Sequence, residues 1–354
     1  MSMSGEKMRF LCFGAGAIGT YIGGSLALNG QEVVFVERPE IAAALGQRGL
    51  RLTLADGEHT VNSPRMAASV EDALADGPFD AAIFAVKSFD TAPLLASLAG
   101  VIDRLPPFLS LQNGVENELR LSEVLGADRV IPATVTSAVG RRDAGDIALE
   151  RLRGVGIADT GPLAKRIYAA MQAAGLRPQL YASAQAMKWS KLLTNLVANA
   201  TSAIMNMSPA EIFSDPRLYR VEVRQLRETL RVMQAQDIPI VNLPGTPVKA
   251  LAFGLRWLPL ALLQPLLKRA AGSGRGGKMP SFHIDLYAGR PRSEVEFLNG
   301  AVVRFGERLG VPTPVNRVLT DTLVGMTAGR IPKESFAGQP GRLVDAVRAA
   351  EAVR

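Results

Sequence analysis

The sequence predicts an α/β fold in which an N-terminal Rossmann-type, doubly wound sheet is followed by an all-helical C-terminal domain. Three observations support this prediction. The apolar run Met8–Phe13 leads directly into glycines spaced as GxGxxG. Further apolar runs of strand length recur as far as Tyr181, most of them followed by turn residues. Beyond that point the apolar residues recur at helical spacing.

The length of the chain favours two domains. Its 354 residues are many for one hydrophobic core. We place the boundary near residue 182, which gives a dinucleotide-binding domain over 8–182 and a helical substrate and catalytic domain over 183–354.

Composition argues against several classes of protein. One cysteine excludes a disulfide framework and a thiolate cluster, and two histidines are too few for a histidine-based metal site, so no metal is predicted. The net charge of +7 is scattered and only 6% of residues are aromatic, which argues against nucleic acid and favours small anionic molecules.

The longest uncharged apolar run, Trp257–Leu267, is well short of the ~20 residues of a membrane span. The N-terminus shows no signal peptide, so we expect a cytoplasmic protein.

The glycine motif lies between a predicted strand and a predicted helix. Gly14 permits a tight turn, Gly16 lets the backbone approach a pyrophosphate, and Gly19 lets helix and strand pack closely. A second apolar strand, Val33–Val36, completes a unit of about 30 residues, the setting in which this motif binds a dinucleotide. The predicted cofactor-binding residues of the loop are Gly14, Gly16, Ala17, Ile18 and Gly19.

The residues that close the second strand bear on the choice of cofactor. An acidic residue there hydrogen-bonds the ribose of NAD, whereas an arginine suits the extra phosphate of NADP. Glu37 and Arg38 are both present, so the motif argues both ways. We favour NADP(H), because Arg38 can pair with a phosphate through two bonds and Glu37 can point elsewhere on the strand.

Two more predicted strands end in polar residues. The strand Phe79–Val86 leads into Lys87, and the strand Phe108–Leu111 leads into Gln112 and Asn113. Ligands of open α/β sheets bind at the carboxyl ends of the strands, so Lys87 and Asn113 are candidates for contact with cofactor or substrate. The Asn-Gly pair that begins at Asn113 is equally typical of a plain turn.

The most informative stretch is Met187–Asn206, which is predicted to form one helix that is apolar nearly all round. Its polar side chains fall within an arc of roughly 80°: Lys191, Asn195, Asn199, Ser202 and Asn206. A buried helix with such a stripe needs partners inside the protein, either structural groups or a ligand. Since lysine is rarely buried without a charge partner, we interpret the stripe as one wall of a ligand site.

Further helices are predicted in the second domain. Asp215 caps a helix that runs to about Gln236, and Ser293 caps one that runs to about Leu309. In Pro247–Ala270 leucines recur at helical spacing, interrupted by prolines and flanked by basic residues: Leu251, Leu255, Leu258, Leu262 and Leu266. We expect an amphipathic cover or a homodimer surface there, in preference to contact with a membrane surface.

These motifs together resemble the ketopantoate reductase (2-dehydropantoate 2-reductase) family. The matching pieces are FGAGAIG at the glycine loop, AVKS around Lys87, LQNG at 111–114, WSKLLTNLVANATSAIMN from Trp189, and PSFHID with SEVEFLNG over 280–300. The resemblance spans nearly the whole chain and keeps the family's order.

The resemblance implies a reaction of pantothenate biosynthesis, the NADPH-dependent reduction of a 2-keto acid, and roles for individual residues. Lys191 would protonate the keto oxygen, and Glu294 would orient the lysine and the bound ligands, cofactor included. The substrate's hydroxyl and carboxylate would be held by Asn195, Asn199 and Ser281. Asn113 and Lys87 would border the cofactor and the reacting carbon, and Arg38 would recognise the 2′-phosphate of NADPH.

The chain departs from the family's pattern between residues 243 and 278, where it carries extra length that we interpret as an insertion. His283 and its neighbours also replace the usual residues after Ser281. Two alternatives therefore stay open: a reductase of a bulkier ketone, and an NADP(H)-binding sensor without turnover.

Overall fold

The computed structural model describes residues 7–275 and 279–352, without the side chains of residues 269–275. It divides into two compact units. The first contains the described residues as far as Lys188 together with Leu243–Thr246, and the second contains Trp189–Asn242 and the residues from Pro247 onward.

The first unit is built on an eight-stranded sheet. Its strands, in spatial order, are β12 (Pro178–Tyr181), β11 (Val155–Ala158), β8 (Val130–Val135), β7 (Phe108–Ser110), β6 (Ala81–Phe84), β1 (Arg9–Phe13), β2 (Glu32–Val36) and β5 (Arg65–Ala67). All neighbouring strands are parallel except β8 and β11. Strand β1 lies between β2 and β6, so the chain order reverses at β1 and a ligand crevice is expected at its carboxyl end.

Both faces of this sheet are buried, as expected for parallel strands. Along β1, Phe10 and Cys12 belong to one hydrophobic cluster, and Leu11 and Phe13 belong to the cluster on the opposite face. The helices of the unit are α1 (Ala17–Leu28), α2 (Pro39–Arg48), α3 (Val70–Ala75), α4 (Thr91–Ser97), α5 (Asn117–Leu125) and α6 (Pro162–Ala173). The predicted Rossmann-type architecture is confirmed.

A second, four-stranded sheet joins two hairpins. The first is β3 (Leu50–Leu54) with β4 (Gly57–Val61). The other is β9 (Ala138–Asp143) with β10 (Asp146–Arg151), and β10 pairs with β3. The residues at the end of β9 are charged and exposed, so this hairpin lacks the apolar alternation that predicts a strand.

The second unit is helical, as predicted. Its helices are α7 (Ala184–Leu196), in which the division falls, α8 (Asn199–Met205), α9 (Pro209–Ser214), α10 (Pro216–Ala235), α11 (Val248–Trp257), α12 (Leu260–Arg275), α13 (Ser281–Tyr287), α14 (Asn299–Arg308), α15 (Pro314–Thr327) and α16 (Pro340–Ala352). Over the residues that the structure describes, no helix combines the length and the apolar character that crossing a membrane requires.

The prediction of one helix over Met187–Asn206 is wrong. The chain leaves the helix after Leu196, and Ala198 adopts a left-handed conformation with φ 50° before α8 begins. The amide of Ala198 donates to Oε2 of the buried Glu222 at 2.8 Å, and the hydroxyl of Thr201 bonds the same carboxylate. The break therefore has a partner on α10 that no local pattern shows.

The predicted leucine stripe in Pro247–Ala270 is also interrupted. Leu258 is extended before Pro259, as residues before proline tend to be, and this separates α11 from α12. Helical periodicity restarts after the proline, so Leu263 is buried whereas Leu262 is exposed. Residues 276–278 of the expected insertion lie outside the described residues. A smaller difference is that Ser293 caps a short 3-10 turn, Glu294–Phe297, rather than α14 itself.

Candidate functional site

The glycine loop joins β1 to α1 in the predicted way. Gly14 has φ +87°, a conformation that favours glycine, and its amide donates to Val36 O at 3.0 Å. A Cβ on Gly19 would lie 2.1 Å from the carbonyl oxygen of Gly14, so only glycine fits there. A Cβ on Gly16 would meet no described atom within 4 Å, and Gly16 is also the N-cap of α1. Open space at a helix N-terminus fits the pyrophosphate of a dinucleotide.

Glu37 is bonded to the glycine loop. Its Oε1 accepts from the amide of Ala15 at 2.8 Å, and its Oε2 accepts from the amide of Arg38 at 3.2 Å. Arg38 is exposed and is the N-cap residue of α2. The carboxylate thus supports the loop, while the arginine lies at the outer end of β2.

The segments that follow β6 and β7 are brought together by hydrogen bonds. Lys87 is half-buried and directly precedes Ser88, whose hydroxyl donates to the carbonyl of Asn113 at 3.2 Å. The same carbonyl accepts from Asn117 Nδ2 at 2.6 Å. The side chain of Asn113 is exposed. The segment that carries Lys87 is therefore hydrogen-bonded to the segment that carries Asn113, and both residues are predicted to contact a ligand.

Lys188 is a buried lysine that bonds residues near the carboxyl end of the first sheet. The sequence analysis did not identify it as a site residue. Its side chain is only 5% exposed, and Nζ lies 2.7 Å from Oε1 of Glu118. It also donates to the carbonyls of Gln112 at 2.6 Å and Ala133 at 3.3 Å. Glu118 in turn accepts from the hydroxyl of Ser110 at 2.8 Å. The signal available was a second lysine in a largely apolar stretch, but its partners are distant in sequence.

In the second unit, the predicted substrate-binding residues Asn195, Asn199 and Ser281 lie together. Asn199 is 5% exposed, and its Nδ2 donates to Asn195 O at 3.1 Å and to Ser281 Oγ at 3.4 Å. Its Oδ1 accepts from the amide of Phe282 at 3.1 Å, in the first turn of α13. The amide of Asn199 thus fastens α13 to α8, and Ser281 presents an exposed hydroxyl beside it.

Lys191 and Asn195 are four residues apart on α7 and hence on one face of that helix. Lys191 is half-buried, and Glu294 is 4% exposed at the start of the 3-10 turn. The helix break at Ala198 interrupts the predicted stripe, so Asn199 joins this group through its hydrogen bonds rather than by helical spacing.

A buried polar network supports these helices and was not predicted. Gln225 donates to Glu222 Oε1 at 2.8 Å, and its own Oε1 accepts from Asn299 at 2.9 Å. One turn further along α10, Glu228 accepts from the amides of Val315 and Asn316, each at 2.9 Å. Burial raises the pKa of the Glu228 carboxyl, although these bonds oppose the shift. Of α10, the sequence analysis had identified only the cap at Asp215 and the approximate length of the helix.

A glycine loop with open space at a helix N-terminus, at the switch point of a largely parallel sheet, is typical of a dinucleotide-binding domain. Comparison with known sequences is more specific. The model of the family "Ketopantoate reductase PanE/ApbA" matches residues 10–163, and that of its C-terminal domain matches residues 183–327. The chain belongs to the ketopantoate reductase family, whose members are oxidoreductases that act on a CH–OH group and a small keto acid.

Individual relatives agree with this assignment. The 2-dehydropantoate 2-reductase of Halobacterium salinarum is 28% identical over 325 residues, which covers 89% of this chain and 97% of that protein. The one from Archaeoglobus fulgidus is 27% identical over 329 residues, covering 91% and 98%.

Solved structures show the same fold. The ketopantoate reductase of Ralstonia eutropha JMP134 has a TM-score of 0.76 at 28% identity, with 91% of this chain and 99% of that chain covered. A D-mandelate dehydrogenase solved with NADH and anilino(oxo)acetate has a TM-score of 0.75 at 19% identity, with coverage of 91% and 99%.

Proposed function

We propose that this protein reduces a 2-keto acid to the 2-hydroxy acid with NADPH, and that 2-dehydropantoate is its substrate. The observation that carries the proposal is that Asn199 Nδ2 donates to Ser281 Oγ and to the backbone carbonyl of Asn195, with Lys191 one helical turn before Asn195. A keto acid needs a proton donor at its keto oxygen and hydrogen-bond donors at its carboxylate, and these side chains supply both.

The role that we propose for each residue in the reduction follows from the chemistry of its side chain. When bound, the nicotinamide supplies the hydride. Lys191 donates a proton to the keto oxygen as that oxygen becomes a hydroxyl, and its positive charge stabilises the developing negative charge. Asn195 and Ser281 donate hydrogen bonds to the substrate, and Asn199 holds the Ser281 hydroxyl in place. Glu294, with its negative charge, orients Lys191.

The cofactor would be held by the loop of the first unit. Gly14, Gly16, Ala17, Ile18 and Gly19 would surround the pyrophosphate, and Lys87 and Asn113 would border the nicotinamide. The exposed guanidinium of Arg38 would pair with the 2′-phosphate, because Glu37 is already bonded to the amide of Ala15. The Glu37 carboxylate would repel a 2′-phosphate placed close to it, because both groups are negatively charged. NADH, which lacks that phosphate, is therefore the alternative cofactor.

The activity test is consumption of NADPH, followed by its absorbance, with 2-dehydropantoate as substrate. We expect Lys191→Ala to lower kcat by about 10²–10⁴-fold, the range for loss of a general acid, with NADPH binding unchanged. Lys165→Ala is the control, since Lys165 is an exposed lysine of α6. Unchanged kcat in Lys191→Ala would remove Lys191 from the proposal.

Substrate and cofactor are tested separately from the catalytic lysine. Turnover of a bulkier 2-keto acid such as phenylglyoxylate, but not of 2-dehydropantoate, would favour the reductase of a bulkier ketone. Absence of turnover on every ketone, with NADPH bound tightly, would favour the sensor.

Arg38→Ala should weaken NADPH binding at least about ten-fold and leave NADH binding unchanged, because only NADPH carries the 2′-phosphate. Tighter binding of NADH than NADPH by the unaltered protein would overturn the cofactor assignment. Cytoplasmic location and a homodimer stay predictions.

A further inference from the structure

A cavity of about 620 Å³ lies in the second unit. Its walls are the C-terminal half of α10, the loop Asp237–Pro239 and the end of α11. None of the residues to which we assign a role in the reduction lines it. One wall is α11, which belongs to the segment 243–278 that we interpret as an insertion.

The lining of the cavity carries a net positive charge. Arg227, Arg231 and Arg256 line it, and Asp237 is the acidic residue among the lining side chains, so positive charge exceeds negative by two. Arg227 donates from Nε to the carbonyl of Leu255 at 2.8 Å. That bond fixes the guanidinium plane with one of its five donors, and a fixed guanidinium suits two-bond recognition of a carboxylate or phosphate.

The lining also includes apolar side chains. Leu230, Ile238 and Leu255 line it and are buried, whereas Trp257 has 72% of its surface exposed. The exposed ring of Trp257 beside buried apolar side chains gives a ligand an apolar surface to cover. Arginines and a tryptophan on one cavity are the composition of a site for a molecule with a charged end and an apolar body.

We propose that this cavity binds a small amphipathic anion, with its carboxylate or phosphate on the arginines and its aliphatic or aromatic body against Trp257 and Leu255. The proposal does not rest on the reductase activity, since the site shares no residue with the proposed catalytic group. The charge argues for an anion, and the volume and the apolar wall argue for a body of several carbon atoms.

Three probes with one aliphatic chain test the proposal: octanoate, octyl phosphate and octanol. Binding is followed by the fluorescence of Trp257, because the other tryptophan, Trp189, is 2% exposed. We expect saturable changes with an anion and about ten-fold or weaker binding of octanol, which lacks the charge. The affinity for octanoate, compared with the affinity for octyl phosphate, shows whether the site prefers a carboxylate or a phosphate. Trp257→Phe should abolish the signal.

The variant Arg231→Gln/Arg256→Gln should weaken binding of the anions at least about ten-fold and leave octanol unchanged. Arg220→Gln is the matched control, because Arg220 is exposed on the same helix and does not line the cavity. Equal binding of octanol and both anions would overturn the proposal, and so would equal losses in Arg220→Gln. Absence of any saturable change would also overturn it. The comparison of probes on the unaltered protein stands even if the double variant does not fold.

Discussion

Lys188 and Glu118 form a buried ion pair, with Nζ 2.7 Å from Oε1 and the two side chains 5% and 14% exposed. The ammonium also satisfies the backbone carbonyls of Gln112 and Ala133. The pair therefore connects α5 to α7, and the ammonium also bonds the segment after β7 and the strand β8.

Replacing Lys188 by methionine should destabilise the protein by about 3–5 kcal/mol, because a buried carboxylate and two carbonyls lose their partner. The matched control is Lys165→Met, whose exposed pair with Asp159 should contribute at most about 1 kcal/mol. Denaturant unfolding measures both variants. Equal losses in the free energy of unfolding would show that the buried Lys188 pair contributes no more to stability than the exposed Lys165 pair.

The glycine loop predicts opposite consequences for two similar substitutions. Gly16→Ala should leave stability nearly unchanged, since its Cβ meets no described atom within 4 Å, but it should weaken cofactor binding at least about ten-fold by filling the cradle. Gly19→Ala should destabilise the fold, because its Cβ would meet the Gly14 carbonyl. Thermal midpoints and NADPH titrations separate the two effects. Normal NADPH affinity in Gly16→Ala would place the pyrophosphate elsewhere.

Glu222 should be essential for the break between α7 and α8. Glutamine at this position would turn one acceptor of the carboxylate into a donor that faces either the amide of Ala198 or Nε2 of Gln225, and both of these groups can only donate. We expect Glu222→Gln to cost about 1–3 kcal/mol of stability, the range for an unsatisfied buried polar group. Glu211→Gln is a surface control. Unfolding midpoints that match in the two variants would contradict this role.

The thiol of Cys12 should be unreactive in the folded protein. Burial, reinforced by the nearby Glu37 carboxylate, raises the pKa of this thiol far above its ordinary value. Only the thiolate reacts with alkylating agents. Iodoacetamide at mildly alkaline pH should label the denatured chain and leave the native chain unlabelled. Equal rates in the two states would disprove this prediction.

His283 should make stability fall in mild acid. Desolvation lowers the pKa of His283 below its ordinary value of 6.5, so the unfolded chain takes up its proton at a higher pH than the folded chain. The free energy of unfolding should therefore decrease as pH falls below about 6.5 and level off below the folded pKa. His283→Phe keeps an aromatic ring to stack on Tyr287 and should reduce this slope. Identical slopes in the two proteins would contradict the assignment.

The sequence alone determined the class of fold and the position of the glycine loop. Apolar runs followed by glycine or polar turns are local signals, and a parallel sheet buried on both faces requires them. For the same reason the glycine loop and the helix capped by Asp215 could be predicted at their positions. These features depend on neighbouring residues, which the sequence shows directly.

The tertiary structure decided the features that depend on distant partners. The helix break at Ala198 is stabilised by Glu222, and Lys188 is bonded to Glu118, 70 residues earlier in the chain. A buried charge or a left-handed residue is tolerated only where the fold supplies its partner. No local periodicity encodes that partner, so the continuous polar stripe failed as a prediction, and the group of Asn195, Asn199 and Ser281 is assembled by packing.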